Sequence, residues 1–178
     1  MLKGMYQTGM TKEEIISTFA ILLVAGSETT ATLLSTAIFY LCKTPEVLST
    51  LTTEIRTSFT HEDEITIVSV NKLKYQLAVL EEALRIFPPV PSGGPRVVPP
   101  GGETISGRWV PGGTTVVVPW YSAHRQKANW RDPDSFVPER WLGDERYKAD
   151  NKGAFAPFSV GPRNCIGLKY AIPFCWIR

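Results

Sequence analysis

Phe158-Ser159-Val160-Gly161-Pro162-Arg163-Asn164-Cys165-Ile166-Gly167 sets one cysteine in a loop of glycine and proline, with an arginine two residues before it and an aromatic ring seven before. A thiolate that serves as a ligand has to be held rigidly and given donors that spread its charge. Gly161 and Gly167 let the backbone turn tightly and approach a flat partner where a Cβ would clash. The apolar residues after Cys165 read as a helix start, whose free amides and dipole favour thiolate over thiol. Arg163 offers a fixed cation for a carboxylate, and Phe158 can cover the sulfur side of a ring. The competing reading is an inert buried cysteine, since free cysteine usually behaves as a small hydrophobe.

Far upstream, Thr11-Lys12-Glu13-Glu14 fits a capping box and opens an apolar stretch from Ile15 to Cys42 that holds a single charge, Glu28. Thr44-Pro45 closes it. Length and apolarity allow a membrane span. Against that stand eight Ser and Thr residues and the central Glu28, a carboxylate costing on the order of 2.5–3.5 kcal/mol in a bilayer. A secretory signal is disfavoured by Glu13 and Glu14, which stand where positive charge is expected. A buried central helix is the preferred expectation. At its middle, Ala25-Gly26-Ser27-Glu28-Thr29-Thr30 combines a destabilising glycine with an acid beside hydroxyls. Gly26 leaves room for a small ligand such as O2, and Glu28 and Thr29 form an acid–alcohol pair able to relay a proton. Hydroxyls bonded back to their own helix are the plainer alternative.

A second helix starts at Thr44-Pro45 with Val47, Leu48, Leu51 and Ile55 on one face, and a third spans Lys72 to Phe87 with Leu73, Leu77, Leu80 and Leu84 in one stripe. Near its end Glu82 and Arg85, three apart, face each other, and Glu81 is also in reach of Arg85. Pro88 to Gly102 is too rich in Pro and Gly for helix, and Arg96 introduces a strand. Glu103–Ser106, Arg108–Val110 and Thr114–Val118 read as strands, and Tyr121–Gln126 as one helical turn. Trp130-Arg131-Asp132-Pro133 through Pro138-Glu139-Arg140-Trp141 is irregular and aromatic-rich. Gly143–Gly153 is a charged loop to which no function is assigned.

Taken together these motifs resemble those of the cytochrome P-450 monooxygenases: the Phe158-x-x-Gly161-x-Arg163-x-Cys165-x-Gly167 loop, the segment around Gly26, Glu82-x-x-Arg85, and the Trp130-to-Trp141 run, in that family's order along the chain. The resemblance implies a mainly α fold with a small β-sheet, a partial cytochrome P-450 domain over residues 1–178, and a haem whose iron takes Cys165 as its axial thiolate. It further implies that Arg163 and Arg96 meet the haem propionates, that Glu28 and Thr29 guide protons, that Gly26 makes room for O2, and that Glu82, Arg85 and Arg140 form a buried triad fixing the ligand loop. A small hydrophobic organic substrate, O2 and an NADPH-dependent reductase are the implied partners. The wording of the motifs is most similar to fungal members acting in secondary metabolism.

Composition adds exclusions. The charges are interspersed and sum to only +2, which gives no footing for nucleic acid. Cys42, Cys165 and Cys175 form neither a disulfide framework nor a zinc site, and a reduced, intracellular compartment suits them. His61 and His124, with no second ligand at metal spacing, are expected on the surface or in a polar contact. The resemblance covers only the C-terminal part of a family domain, without its N-terminal membrane anchor. After Leu168 to Ile172 a helix is expected to stop at Pro173, and Phe174 to Arg178 look unlike the family, suggesting an incomplete gene product. Two other readings therefore stand beside the enzyme: an inactive fragment that cannot retain haem, and a membrane-anchored helical protein.

Overall fold

The computed structural model describes residues 9–168. Cys175 and the expected helix stop at Pro173 lie outside the described residues. Helix α1, Lys12–Lys43, is one unbroken α-helix of 32 residues. Its start is the capping box read from the sequence: the Thr11 side chain accepts from the Glu14 amide at 3.2 Å, and the Glu14 carboxylate accepts from the Thr11 amide at 2.8 Å. Pro45 at the first position of α2, Pro45–Ser58, breaks the chain cleanly between the two.

The helix expected from Lys72 to Phe87 is α4, Lys74–Ile86, and a short α3, Ile67–Val70, capped by Thr66 and Ser69, precedes it. The free amides of Tyr75 and Gln76 at the start of α4 donate to the Glu54 carboxylate of α2 at 2.8 and 2.9 Å. An acid brought from another helix thus caps α4 and pins it to α2. The predicted strands are short. β1 (Arg96–Val97) pairs antiparallel with β4 (Thr115–Val116), and β2 (Glu103–Ile105) with β3 (Arg108–Val110), giving two separate two-stranded ladders. The helical turn α5 spans Trp120–Ala123, and Pro138–Trp141 is a 3-10 turn. The architecture is mainly helical with a small antiparallel β component.

The core gathers Leu33, Ala37 and Leu41 of α1, Val47 and Leu51 of α2, and the body of α4, with Phe136 stacked on Tyr40. This corrects one expectation. The buried central helix is α4, not α1: ten of the 13 residues of α4 are buried. The N-terminal half of α1 is largely exposed, with Ile21, Leu23 and Val24 at 68, 73 and 58%. Apolarity states what a helix gains from being covered, but not which element covers it. The described elements grip α1 mainly between Leu33 and Leu41, and α4 can sink deeper despite its charges because every charge in it that is buried has a partner.

Candidate functional site

Those partners form a densely hydrogen-bonded cluster around Glu82. Glu82, with no exposed surface, accepts five hydrogen bonds. Its Oε1 takes Arg85 Nη2 (2.9 Å), Arg140 Nε (3.0 Å) and the Val137 amide (3.0 Å), and its Oε2 takes Arg85 Nε (2.9 Å) and Trp141 Nε1 (2.9 Å). Arg85 spends its remaining donors on the carbonyls of His124 (2.9 Å), Pro133 (2.7 Å) and Ser135 (3.0 Å). Its fork is filled, which lets a guanidinium sit fully buried. Arg140 reaches beyond Glu82 to the Asp150 carboxylate, whose other oxygen holds the Arg131 amide at 2.8 Å. Trp130, 1% exposed, lies against both guanidiniums at 5.5 and 5.9 Å.

The cluster is therefore a quartet and not a triad. One carboxylate between two guanidiniums would bury a net positive charge. Asp150, from the charged loop Gly143–Gly153, brings the sum to zero. Counting the charges of the expected triad is the signal that calls for a fourth, acidic member. Glu81 takes no part: no ion pair joins it to Arg85, and burial raises its carboxyl pKa above the usual value.

Above this cluster lies a cavity of about 380 Å³. One wall is Pro157, Phe158, Ser159, Arg163 and Cys165. The facing walls come from Ala25, Thr29, Thr30 and Leu33 of α1, Leu84 of α4, and Val90, Gly93, Arg96 and Trp120. Cys165, Arg163, Phe158, Arg96 and Thr29, separated widely in sequence, thus share one space. The loop is closed by the Cys165 amide donating to the Phe158 carbonyl at 2.9 Å. Gly161 sits at φ +81°, a turn that side chains resist, and the non-glycine Ser159 is at +62°. Gly167 makes no such demand: a Cβ there would stand 3.5 Å from the Cys165 sulfur, an ordinary contact. No carboxylate lines the cavity, and none among the described residues pairs with Arg96 or Arg163. A sulfur donor, two unneutralised guanidiniums and apolar walls fit a flat, iron-bearing, dianionic ring such as haem.

The other residues singled out on α1 fall elsewhere. Glu28 is exposed and Gly26 meets open space, and neither lines the cavity; Ala25 and Thr29 do. Neighbouring helical residues point about 100° apart, so Glu28 and Thr29 do not face one target. The Thr29 hydroxyl donates to the Ala25 carbonyl at 2.6 Å, and α1 runs through Gly26 without a bulge. Glu28 and Thr29 share no hydrogen bond in this structure.

Gly93 is the glycine on which the cavity wall depends. It sits at φ +66°, and a Cβ would lie 2.5 Å from the Val118 carbonyl and 3.2 Å from the Trp120 indole. Gly93→Ala is expected to cost about 1–3 kcal/mol in backbone strain and to shift Trp120. A lowered Tm with altered tryptophan emission checks this.

The family profile described as Cytochrome P-450 matches residues 1–173. The chain is 52% identical over 163 residues to a cytochrome P-450 monooxygenase of Purpureocillium lilacinum, covering 92% of this chain and 32% of that protein. It is 50% identical over 163 residues to the averantin hydroxylase of Dothistroma septosporum (92% and 31%) and 47% identical over 165 residues to the trichothecene C-15 hydroxylase of Fusarium sporotrichioides (92% and 34%). The chain spans about a third of the length of these curated relatives.

Proposed function

This chain belongs to the cytochrome P-450 family, and from that premise we propose that it carries the thiolate-ligand half of a haem monooxygenase site. The observation that carries the reading is the single cavity shared by Cys165, Arg163, Phe158, Arg96 and Thr29. Cys165 would supply a thiolate ligand to the iron, Arg96 and Arg163 would bind the two propionates, and Phe158 and Leu33 would cover the ring. Gly161 would shape the loop, with Gly167 behind the sulfur. The haem, once bound, supplies the activation of O2 for insertion of one oxygen atom into an organic substrate. Electrons would come from an NADPH-dependent reductase. The Thr29 hydroxyl, now on the Ala25 carbonyl, can turn into the cavity to deliver a proton, and Glu28 would act from the solvent side. Two relatives are hydroxylases by name, so hydroxylation of a small hydrophobic substrate is the reaction proposed here. The quartet around Glu82 would hold the loop's foundation.

A second reading is favoured by the exposed apolar face of α1 and by the exposure of Cys165 and Arg163: the chain by itself does not retain haem. Helix α1 is also long and apolar enough to cross a membrane by length and composition; resistance to alkaline carbonate extraction would favour that placement. Haemin titration of the purified chain, followed by reduction and carbon monoxide, separates the first two. A thiolate-type Soret band that Cys165→Ser abolishes is the expected result. Stoichiometric binding without that band removes Cys165 as ligand, and no binding at all supports the second reading.

A further inference from the structure

His124 was expected at the surface or in a polar contact; it is fully buried, and nothing in the site above uses its side chain. It follows α5, and its backbone carbonyl accepts Arg85 Nη1 at 2.9 Å, which ties the residue to the buried quartet. Its ring packs against Phe155 at 5.2 Å between centroids. Its Nε2 lies 3.3 Å from the amide nitrogen of Ala156. A backbone amide can only donate, so Nε2 is the bare nitrogen and the proton of the neutral ring sits on Nδ1, which has no hydrogen-bond partner.

The Ala156 bond has no substitute. From Ala156 to Leu168, the other hydrogen bonds among the described residues stay within the segment: Ser159 to Ala156, Asn164 to Gly161, Cys165 to Phe158 and Leu168 to Cys165. Among the described residues, the one hydrogen bond that joins this segment to the body of the protein is the one accepted by His124. Beyond it, the loop is held by apolar packing of Phe158 on the core. A continuous ladder thus runs from Arg85 through the backbone and ring of His124 to Ala156, and from there through the turn closed by Phe158 to Cys165.

We infer that His124 is a positioning residue for Cys165: an uncharged imidazole, fixed to the quartet by Arg85, whose Nε2 sets the point at which the cysteine loop leaves the body of the protein. A neutral acceptor is required there, because an imidazolium would meet the Arg85 guanidinium and could not accept the Ala156 amide. The consequence for iron ligation rests on the haem reading; the anchor itself does not, and it is measured without haem.

The test begins with the unsubstituted, haem-free chain labelled with nitrogen-15. A through-hydrogen-bond coupling between the Ala156 amide nitrogen and His124 Nε2, with Nε2 at the shift of an unprotonated nitrogen, is expected; a protonated Nε2 or no coupling overturns the inference. His124→Phe keeps a ring on Phe155 and removes the acceptor, while His124→Gln restores one with its carboxamide oxygen. Amide exchange at Ala156 and Cys165 should rise about tenfold in the Phe variant, the loss of one hydrogen bond, and fall back in the Gln variant, with Leu80 and Ala83 of α4 unchanged. Unchanged exchange at Cys165 once Ala156 is freed, or no recovery with Gln, overturns it. If the Phe variant does not fold, the coupling decides. A coupling found in a chain that binds no haem upholds the anchor and tells against the monooxygenase reading alone.

Discussion

Glu82→Ala is expected to remove the cooperative thermal transition of this chain. The substitution strands two guanidiniums with no exposed surface and frees the Val137 amide and the Trp141 indole N–H, all four having pointed at one carboxylate. Breaking a buried pair from one side costs about 3–5 kcal/mol. A small domain has only about 5–15 kcal/mol to lose. Arg140 keeps Asp150, whereas Arg85 keeps only carbonyl partners. The damage should therefore centre on the C-terminal end of α4 and the loops around Pro133 and Ser135. Near-ultraviolet circular dichroism should collapse while much of the far-ultraviolet helix signal from α1 persists. A variant that keeps its near-ultraviolet spectrum and loses less than about 1 kcal/mol, the range of exposed pairs, would show that the quartet is hydrated in solution.

Acid should destabilise the chain well before its carboxylates titrate, and His124 is the reason. Burial, and then the nearby Arg85 cation, push its pKa from 6.5 down to about 4; the carbonyls of Leu84 and Arg85 pull the other way without giving Nδ1 a hydrogen bond. The folded chain therefore holds fewer protons than the unfolded chain between those values. Stability from this group is fully present above the unfolded pKa near 6.5 and is lost as pH falls toward 4, by roughly 3 kcal/mol in total. Glu81, raised by burial, works in the opposite direction at the lower end of that range. Urea midpoints at pH 7.5, 6, 5 and 4 should fall for the natural chain. For His124→Phe they should start lower and change less, so that the two curves converge in acid. Parallel curves would show that His124 is protonated alike in both states.

What could be read from the chain beforehand followed from local chemistry. The start of α1 was legible because Thr11 and Glu14 form a capping box within four residues, and its end because Thr44 precedes Pro45. The grouping of Cys165 with Arg96 and Thr29 was legible only through the resemblance, because no spacing rule links residues so far apart. Asp150 and Trp141 escaped the triad because no periodicity marks them; only the requirement that buried charge sum to zero calls for an acid such as Asp150. The placement of α1 was misread because apolar composition was taken for burial. The different surroundings of Glu28, exposed, and Thr29, on the cavity, are not legible from their adjacency, because neighbouring helical residues point in different directions. For His124 a surface or polar contact was all that could be expected, because a lone histidine has no pattern; among the described residues it is the one outside acceptor for the loop's amides.

The quartet around Glu82 also bears on how the chain reaches its native state. Glu82 and Arg140 are 58 residues apart in sequence, and the other long-range donors to Glu82, the Val137 amide and the Trp141 indole, are 55 and 59 away. None of these charges can give up its water until the others arrive, so they assemble only after α1, α2 and α4 have collapsed on local contacts. Interactions that form this late are missing from the folding transition state and act mainly as a brake on unfolding. The ion cluster should therefore govern the lifetime of the folded protein more than the speed of its formation.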